Sequence, residues 1–291
     1  MIRRLIKSLK SFDLEYPPGH YYSPVITPTE LKSLGPINFA YSEASEIPGI
    51  NLNAEEQFRL LERMLAFYPS VPFQDQPNDK NRYYFDNDFF SYNSGIQLYC
   101  LLRLIKPGRI VEVGSGFSSA LMLDVNELYF EGKIQLQFIE PYPGVRLKKL
   151  LRKADYGSAV IIEKRLQEVD LSIFKNLNRN DVLFVDSSHV SKPGSDVNRL
   201  FFEILPILKP GVIVHFHDIF FPFEYPRGWV NNPKGFGWNE LYMLRSFLMH
   251  NDQYKILFFN SYLEMTHEKW FRDNMPLCLT KQGGSLFIVK N

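Results

Sequence analysis

The sequence predicts an α/β fold in which a mostly parallel β-sheet is doubly wound, with helices on both faces. Two observations predict it. An apolar run at 109–113 breaks into a glycine-rich turn and then a helical pattern. Further apolar runs at 134–140, 159–163 and 181–186 are separated by helical segments, and each ends in polar residues. Strands that alternate with helices are typical of a parallel sheet, whose ligands bind at the carboxyl ends of its strands.

The first strand and its turn, at 109–119, form the most informative segment. The strand is β-branched, which suits burial on both faces, and Gly114 and Gly116 allow backbone torsions and a close approach that a side chain would obstruct. Glu112 is an acid inside this apolar strand and therefore requires a partner. That partner is either a ligand amine or the loop itself. The segment predicts a ligand-binding turn.

Acidic residues end the second and fourth strands. Glu140 follows the glycines by roughly twenty residues, the spacing at which a carboxylate accepts hydrogen bonds from a ribose in dinucleotide-binding folds. Those folds have a third glycine that lets the helix pack on the sheet, and Ser119 takes its place here. Asp186 ends the fourth strand. We therefore expect a ribose-bearing ligand at this edge of the sheet.

The fifth strand, at 212–218, becomes polar where it should reach the same edge. With a period of two, His215 and His217 share one face, while Phe216 and Asp218 take the other. His217 and Asp218 come last, so a turn after the strand could present both to a substrate. For His215, one pleat deeper, a core role and a functional role are both open.

These residues resemble the class I S-adenosylmethionine-dependent methyltransferases. Glu112-Val-Gly-Ser-Gly116 matches the first motif of that family, and Glu140 matches its ribose-binding acid. The segments at 183–189 and 209–218 resemble the branch of small-molecule methyltransferases found beside natural-product and surface-glycan enzymes. The resemblance covers roughly residues 90–290.

The resemblance implies a Rossmann-like sheet in which the last strands, at 254–260 and 285–290, form a terminal antiparallel pair. It also implies transfer of a methyl group from S-adenosylmethionine to a small-molecule acceptor, at oxygen rather than nitrogen, with a sugar or a secondary metabolite as the acceptor. The expected cofactor-binding residues lie in the glycine turn and after strands two, three and four: Glu112, Gly114, Ser115, Gly116, Ser119, Glu140, Pro141, Leu166, Gln167, Asp186 and Ser187.

Two interpretations of the catalytic residues stay open. In metal-dependent relatives, including those that resemble catechol O-methyltransferase, an acid after strand four and a pair after strand five hold magnesium. The matching set here is Asp186, His217 and Asp218. Because magnesium prefers oxygen ligands, a histidine in that set suits a softer metal or no metal. Alternatively, His189 or His217 acts as a general base with help from Asp218. A third interpretation makes these residues purely structural.

An aromatic segment follows the His–Asp pair directly, from Phe220 to Trp238. Its position suits a lid over the site, where aromatic rings could stack on a substrate and exclude water. Packing over the sheet edge is the alternative.

Composition and organisation limit the other function classes. We expect an N-terminal cap or oligomerisation arm at 1–81, rich in proline and aromatic residues, and a methyltransferase domain at 82–291. A net charge of +1 gives no reason to expect nucleic acid as a partner. Cys100 and Cys278 are too few for a disulfide framework, which favours the cytoplasm. No segment is long and apolar enough to span a bilayer. These features leave the oligomeric state undecided between a monomer and a homo-oligomer.

Two other function classes remain as alternatives. An iron-dependent hydroxylase on a similar scaffold could use two histidines and a carboxylate, although Glu112 and Glu140 argue against it because such an enzyme needs no ribose site. A non-catalytic relative could bind a nucleotide or scaffold a biosynthetic complex. The full set of polar residues at the strand edge argues against a relative that has lost its catalytic activity.

Overall fold

The computed structural model describes residues 16–33, 46–231 and 237–291. It contains a sheet of seven strands in the order β3-β2-β1-β4-β5-β7-β6. Strands β1 to β5 run parallel, and β7 runs antiparallel to both β5 and β6. The strands are β1 Arg109–Val113, β2 Gln135–Ile139, β3 Ala159–Ile162, β4 Val182–Val185, β5 Ile213–His217, β6 Tyr254–Phe259 and β7 Ser285–Lys290. The predicted Rossmann-like sheet with its antiparallel end is confirmed.

Helices flank the sheet and connect its parallel strands. In chain order, the α-helices of the described residues are α1 Pro28–Ser33, α2 Ala54–Met64, α3 Tyr92–Ile105, α4 Phe117–Phe130, α5 Leu147–Leu150, α6 Asp155–Ser158, α7 Ser172–Lys175, α8 Asp196–Arg199, α9 Leu205–Ile207, α10 Arg227–Val230, α11 Glu240–Leu248, α12 Asn260–Thr266 and α13 Glu268–Asn274. A π-helical stretch, Leu200–Ile204, joins α8 to α9, and shorter 3₁₀ turns lie at Leu65–Ser70, Leu166–Glu168 and Pro276–Thr280.

The strand order places the site. The chain builds outward from β1 to β3 and then returns to lay β4 on the other side of β1, so the connections leave in opposite directions between these two strands. Ligands of open α/β sheets bind at such a switch point, beyond the carboxyl ends of the strands. Register brings Val113 level with Ile139 and Val185. The residues that directly follow these three strands therefore meet at one edge of the sheet. They are Gly114, Glu140 and Asp186.

Helix α2 of the front section lies at the β6 edge of the sheet. Helix α2 packs against β6 and α3. Two amide side chains secure it: the Asn53 Nδ2 donates to the Ile256 carbonyl at 3.0 Å, and the Phe259 N–H donates to Gln57 Oε1 at 2.6 Å. A boundary near residue 82 and the role of residues 1–81 as an arm stay predictions, and residues 1–15 and 34–45 lie outside the described part.

The two cysteines lie in the core. Cys100, in α3, and Cys278, in the turn packed on α3, are free and buried. No helix among residues 16–33, 46–231 and 237–291 has the length and the apolar character needed to cross a membrane.

Candidate active site

A cavity of about 1080 Å³ lies at the switch point. Its floor is formed by the ends of β1, β4 and β5, and its walls come from the segments at 88–94, 220–229, 237–238 and 281–284. Among the residues that line it are Gly114, Ser115, Glu140, Arg146, Asp186, Ser187, His189, His217, Asp218, Phe220, Trp229, Trp238 and Lys281. The three residues expected to act in catalysis therefore line the same cavity as five of the expected cofactor residues. The catalytic candidates are His189, His217 and Asp218, and the cofactor candidates are Gly114, Ser115, Glu140, Asp186 and Ser187.

The glycine turn crosses the end of β4 in close contact. Gly114 has a φ of +78°, and a Cβ built on it would lie 1.7 Å from the Asp186 carbonyl oxygen. Its N–H donates to the Ile139 carbonyl, and the Asp186 N–H donates to the Val113 carbonyl. Only glycine fits this torsion and this gap, so the turn is held against both neighbouring strands.

Glu112 lies beneath the turn rather than in the cavity. The carboxylate is fully buried and accepts hydrogen bonds from the Ser118 hydroxyl, at 2.5 Å, and from the Ser119 hydroxyl. Ser119 also accepts from the Gly116 N–H at 3.0 Å. Of the two partners expected for Glu112, the structure shows the loop and the first turn of α4. Ser119, at the position of the third glycine in dinucleotide-binding folds, thus ties the start of α4 to β1 and to the turn through hydrogen bonds.

Burial raises the pKa of Glu112 to about 8, although its serine partners oppose the shift. The folded state therefore holds a proton that the unfolded chain has released between pH 4.5 and about 8. We expect the free energy of unfolding to fall as the pH rises through this window. The Glu112→Gln variant should lose that part of the slope in urea titrations at several pH values. Parallel pH profiles for the two proteins would contradict this account.

Glu140 stands at the cavity wall, where the backbone fixes its carboxylate. One oxygen accepts from the Ser115 N–H at 3.1 Å, and the other accepts from the Tyr142 N–H at 2.7 Å. The Ser115 hydroxyl is buried and acts on Glu112, whose pKa it lowers. Ser115 therefore links the cavity wall, through its N–H, to the buried acid beneath the turn.

The remaining expected cofactor residues divide into two groups. Asp186 and Ser187 line the cavity. Gly116, Pro141, Leu166 and Gln167 lie outside its lining, as do Glu112 and Ser119. The Gln167 side chain donates to the Gly194 carbonyl at 2.7 Å. Arg146 covers Gly116, because a Cβ there would lie 2.6 Å from the arginine Cδ.

Carboxylates surround His189, a buried residue in the lining of the cavity. Its Nε2 lies 3.3 Å from Asp186 Oδ1 and 3.5 Å from Asp218 Oδ2, and its Nδ1 lies 2.8 Å from Glu240 Oε2. The side chains of His189 and Glu240 are 6% and 1% exposed, so this charge is held largely away from water. One atom from each of Asp186, His189 and Asp218 lies within 4.8 Å of the others, and such a group could hold a metal ion.

The charges of this group depend on one another. Burial opposes protonation of His189, yet its hydrogen bonds to Asp186 and Glu240 outweigh burial and raise its pKa well above 6.5. The same contact lowers the pKa of Asp186 in spite of burial. Burial raises the pKa of Asp218, with His217 opposing and Asp186 adding to the shift. Without a bound cation, His189 is therefore the positive member of the group.

His217 has a different environment from His189. Its Nε2 lies 3.2 Å from the Phe89 carbonyl, which can only accept, so this nitrogen carries a proton. It also lies 3.4 Å from Asp218 Oδ1, and the buried Nδ1 has no hydrogen-bond partner among the described residues. The metal-capable group thus contains His189 where the sequence suggested His217. His215 is fully buried, with its Nε2 3.0 Å from the Ser285 hydroxyl, which favours the core role.

Sequence reasoning missed two features of the site. Arg146 follows strand β2 and stacks on Phe89, with its guanidinium carbon 3.5 Å from the ring centre. Glu240 contacts His189 across 51 residues of sequence. An acid in the first turn of a helix gives no sign of such a contact, because acids are common there.

Aromatic residues form one wall of the cavity. The Trp238 and His189 rings lie 4.3 Å apart, and Trp229 makes edge contacts with Phe220 and Trp238 at 5.2 and 5.8 Å. Phe220 is buried and Trp229 is 38% exposed, so the wall is packed at its base and open at its rim. The lid interpretation stays a prediction.

Comparison with known proteins identifies the family. A family model described as a methyltransferase domain matches residues 111–219, which include the glycine turn and the ends of β2, β4 and β5. An uncharacterised protein of Archaeoglobus fulgidus is 35% identical over 167 residues, which cover 57% of this chain and 75% of that protein. The chain belongs to the class I S-adenosylmethionine-dependent methyltransferases.

Solved structures similar to this chain include two methyltransferases with low sequence identity. The methyltransferase PaMTH1 of Podospora anserina, bound to S-adenosylhomocysteine, is 16% identical, with a TM-score of 0.45 and coverage of 89% of this chain and 96% of that one. The O-methyltransferase TomG of Streptomyces achromogenes, in complex with S-adenosylmethionine, is 14% identical, with a TM-score of 0.42 and coverage of 90% and 99%.

Proposed function

We propose that this protein transfers a methyl group from S-adenosylmethionine to a hydroxyl of a small molecule, a sugar or a ring-bearing secondary metabolite. The observation that carries this proposal is the position of Asp186, His189 and Asp218. They share one cavity with the glycine turn and Glu140. A site for a ribose and a site for activating a hydroxyl thus face the same space.

The residues present suit the cofactor. The Glu140 carboxylate is the acceptor type that holds both hydroxyls of a ribose. The Ser115 N–H donates to one oxygen of this carboxylate, which holds it at the cavity wall beside the glycine turn. The Phe220, Trp229 and Trp238 rings line the same cavity and suit a ring substrate, since aromatic faces bury apolar surface and exclude water.

The Asp186, His189 and Asp218 group also suits a divalent cation, and we propose that it binds one. Two carboxylate oxygens and one imidazole nitrogen are donors that manganese, iron, cobalt and zinc accept. Burying Asp186, Asp218 and Glu240 around a single imidazole leaves negative charge in excess, which a cation would offset. A single histidine in the group does not match the two-histidine, one-carboxylate set of iron-dependent hydroxylases, which supports methyl transfer over hydroxylation.

The chain has three tasks in the reaction. S-adenosylmethionine, when bound, supplies a methyl carbon that is already electrophilic, and a bound cation would lower the pKa of the acceptor hydroxyl. The aromatic wall keeps water from competing for the methyl group. Asp218 would hold the cation through Oδ2, the oxygen that faces His189, and accept the proton of the acceptor hydroxyl on Oδ1, the oxygen beside His217. Glu140 and the turn at Gly114 hold the cofactor in line with that hydroxyl.

Replacing Glu140 by Ala should weaken S-adenosylmethionine binding by at least tenfold. The change removes two charge-assisted hydrogen bonds to the ribose, each worth about 1.5–3 kcal/mol. Isothermal titration calorimetry measures this. Glu140→Gln keeps an acceptor for the turn, and Glu163→Ala, at an exposed acid after β3, serves as the control with unchanged affinity. Wild-type affinity in folded Glu140→Ala, or tighter binding of NAD than of S-adenosylmethionine, would contradict the assignment.

Removal of divalent cations should abolish turnover and leave cofactor binding intact. The proposed cation contacts the acceptor, whereas the cofactor binds through Glu140 and the turn. Protein dialysed against EDTA is assayed before and after addition of Mn²⁺ or Co²⁺, with S-adenosylmethionine affinity measured in parallel. Full turnover without metal would contradict the cation site and assign removal of the hydroxyl proton to Asp218 alone.

A further inference from the structure

Glu240 holds both the ring and the backbone of His189. It is the first residue of α11 and is 1% exposed. Its Oε2 lies 2.8 Å from His189 Nδ1, and its Oε1 accepts from the Ser187 hydroxyl at 3.1 Å. The backbone N–H groups of Asn239 and Glu240 both donate to the His189 carbonyl, at 3.0 and 3.1 Å. The first turn of α11 is thus hydrogen-bonded to both the ring and the carbonyl of His189.

These contacts fix which nitrogen of His189 faces the cavity. Because the Glu240 carboxylate can only accept, the Nδ1 beside it carries a proton. Nε2 then points to the opposite side, towards Asp186 and Asp218. The backbone of His189 has a φ of +59°, which is rarely adopted by a residue with a side chain, so the surrounding structure must hold this conformation.

We propose that Glu240 is the positioning residue of the cation site: it orients His189 so that Nε2 completes the donor set with Asp186 and Asp218. This inference rests on the proposed cation site. Histidine ligands usually donate their second N–H to a carboxylate, which fixes the ring and makes the ligating nitrogen a stronger donor. Trp238 restrains the plane of the ring from one side, and Glu240 restrains its rotation. Glu240 itself does not line the cavity, so it acts through His189.

The test is Co²⁺ affinity, measured by calorimetry on the full chain without cofactor or acceptor. Wild type should bind one Co²⁺. Glu240→Ala should bind it 10- to 100-fold more weakly, the range typical for losing such a partner. Glu240→Gln, whose amide oxygen still accepts from Nδ1, should fall between the two. Affinity for S-adenosylmethionine, which we propose binds through Glu140 and the glycine turn, should stay within a fewfold of wild type in both variants, and circular dichroism shows that they are folded.

Glu224→Gln is the matched control. Glu224 belongs to the aromatic segment that precedes α11, and its carboxylate accepts hydrogen bonds from the Tyr225 N–H and the Tyr242 hydroxyl rather than from His189. It should bind Co²⁺ as wild type does. Equal Co²⁺ affinity in wild type and Glu240→Ala would overturn the positioning role of Glu240 and leave the proposed cation site standing. No Co²⁺ binding by the wild type would overturn the cation site and this role with it, while S-adenosylmethionine binding would still support the methyltransferase assignment.

Discussion

Changing Asp218 to Asn should lower kcat by about a hundredfold or more and leave S-adenosylmethionine affinity nearly unchanged. The amide cannot accept the proton of the acceptor hydroxyl, and general base catalysis contributes about that much to rate. The change preserves size and removes one charge from the group around His189. Single-turnover rates, with cofactor affinity from calorimetry, separate the chemical step from binding.

Two controls sharpen this result. Asp170→Asn changes an exposed acid whose partner is the Ser172 N–H, outside the cavity lining, and should retain wild-type turnover. His217→Gln should cost less than Asp218→Asn, because the His217 Nε2 is bonded to the Phe89 carbonyl rather than facing a substrate. Wild-type turnover in Asp218→Asn would place the catalytic centre elsewhere.

Changing Arg82 to Leu should reduce the free energy of unfolding by about 3–5 kcal/mol, because it leaves buried carboxylates without their cation. Arg82 Nη1 lies 2.7 Å from Asp124 and 2.8 Å from Glu127, and Nη2 lies 2.5 Å from Asp155. The Asp124 and Asp155 side chains are each 1% exposed. Arg82 thereby joins the chain before α3 to α4 and α6. Urea titration measures the loss.

An exposed ion pair provides the comparison. Arg59 and Glu55 pair across one turn of α2, with side chains 70% and 85% exposed. Arg59→Gln should change stability by less than about 1 kcal/mol, as is usual for surface pairs. Similar losses in the two variants would mean that the Arg82 contacts contribute no more than surface charges do.

Local sequence signals were sufficient for the central sheet. Apolar runs of the right length, each followed by polar residues, predicted β1 to β5, and the glycines predicted the turn whose Gly114 tolerates no Cβ. Such signals are local. The alternation of side chains along a strand and the preference of glycine for a positive φ both depend on residues that are consecutive in the sequence. The order of the strands then brought Glu140, Asp186 and Asp218 to one edge.

The partners of these residues could not be predicted in the same way. Glu112 is an acid in a buried strand, and nothing in its neighbours distinguishes a ligand contact from the Ser118 and Ser119 contacts that the structure shows. His189 lies after β4 and Glu240 begins α11, so their contact depends on how a distant helix docks. The sequence pattern likewise gave equal reason to choose His217 or His189 beside Asp218.

A crystal structure of the protein with S-adenosylhomocysteine tests the central claim most directly. We expect the ligand in the 1080 Å³ cavity, with its ribose hydroxyls on Glu140 and its sulfur turned towards the space in front of Asp186 and Asp218. A cavity that stays empty at saturating ligand, or a ligand bound with its sulfur away from Asp218, would contradict the proposed methyl transfer at this site.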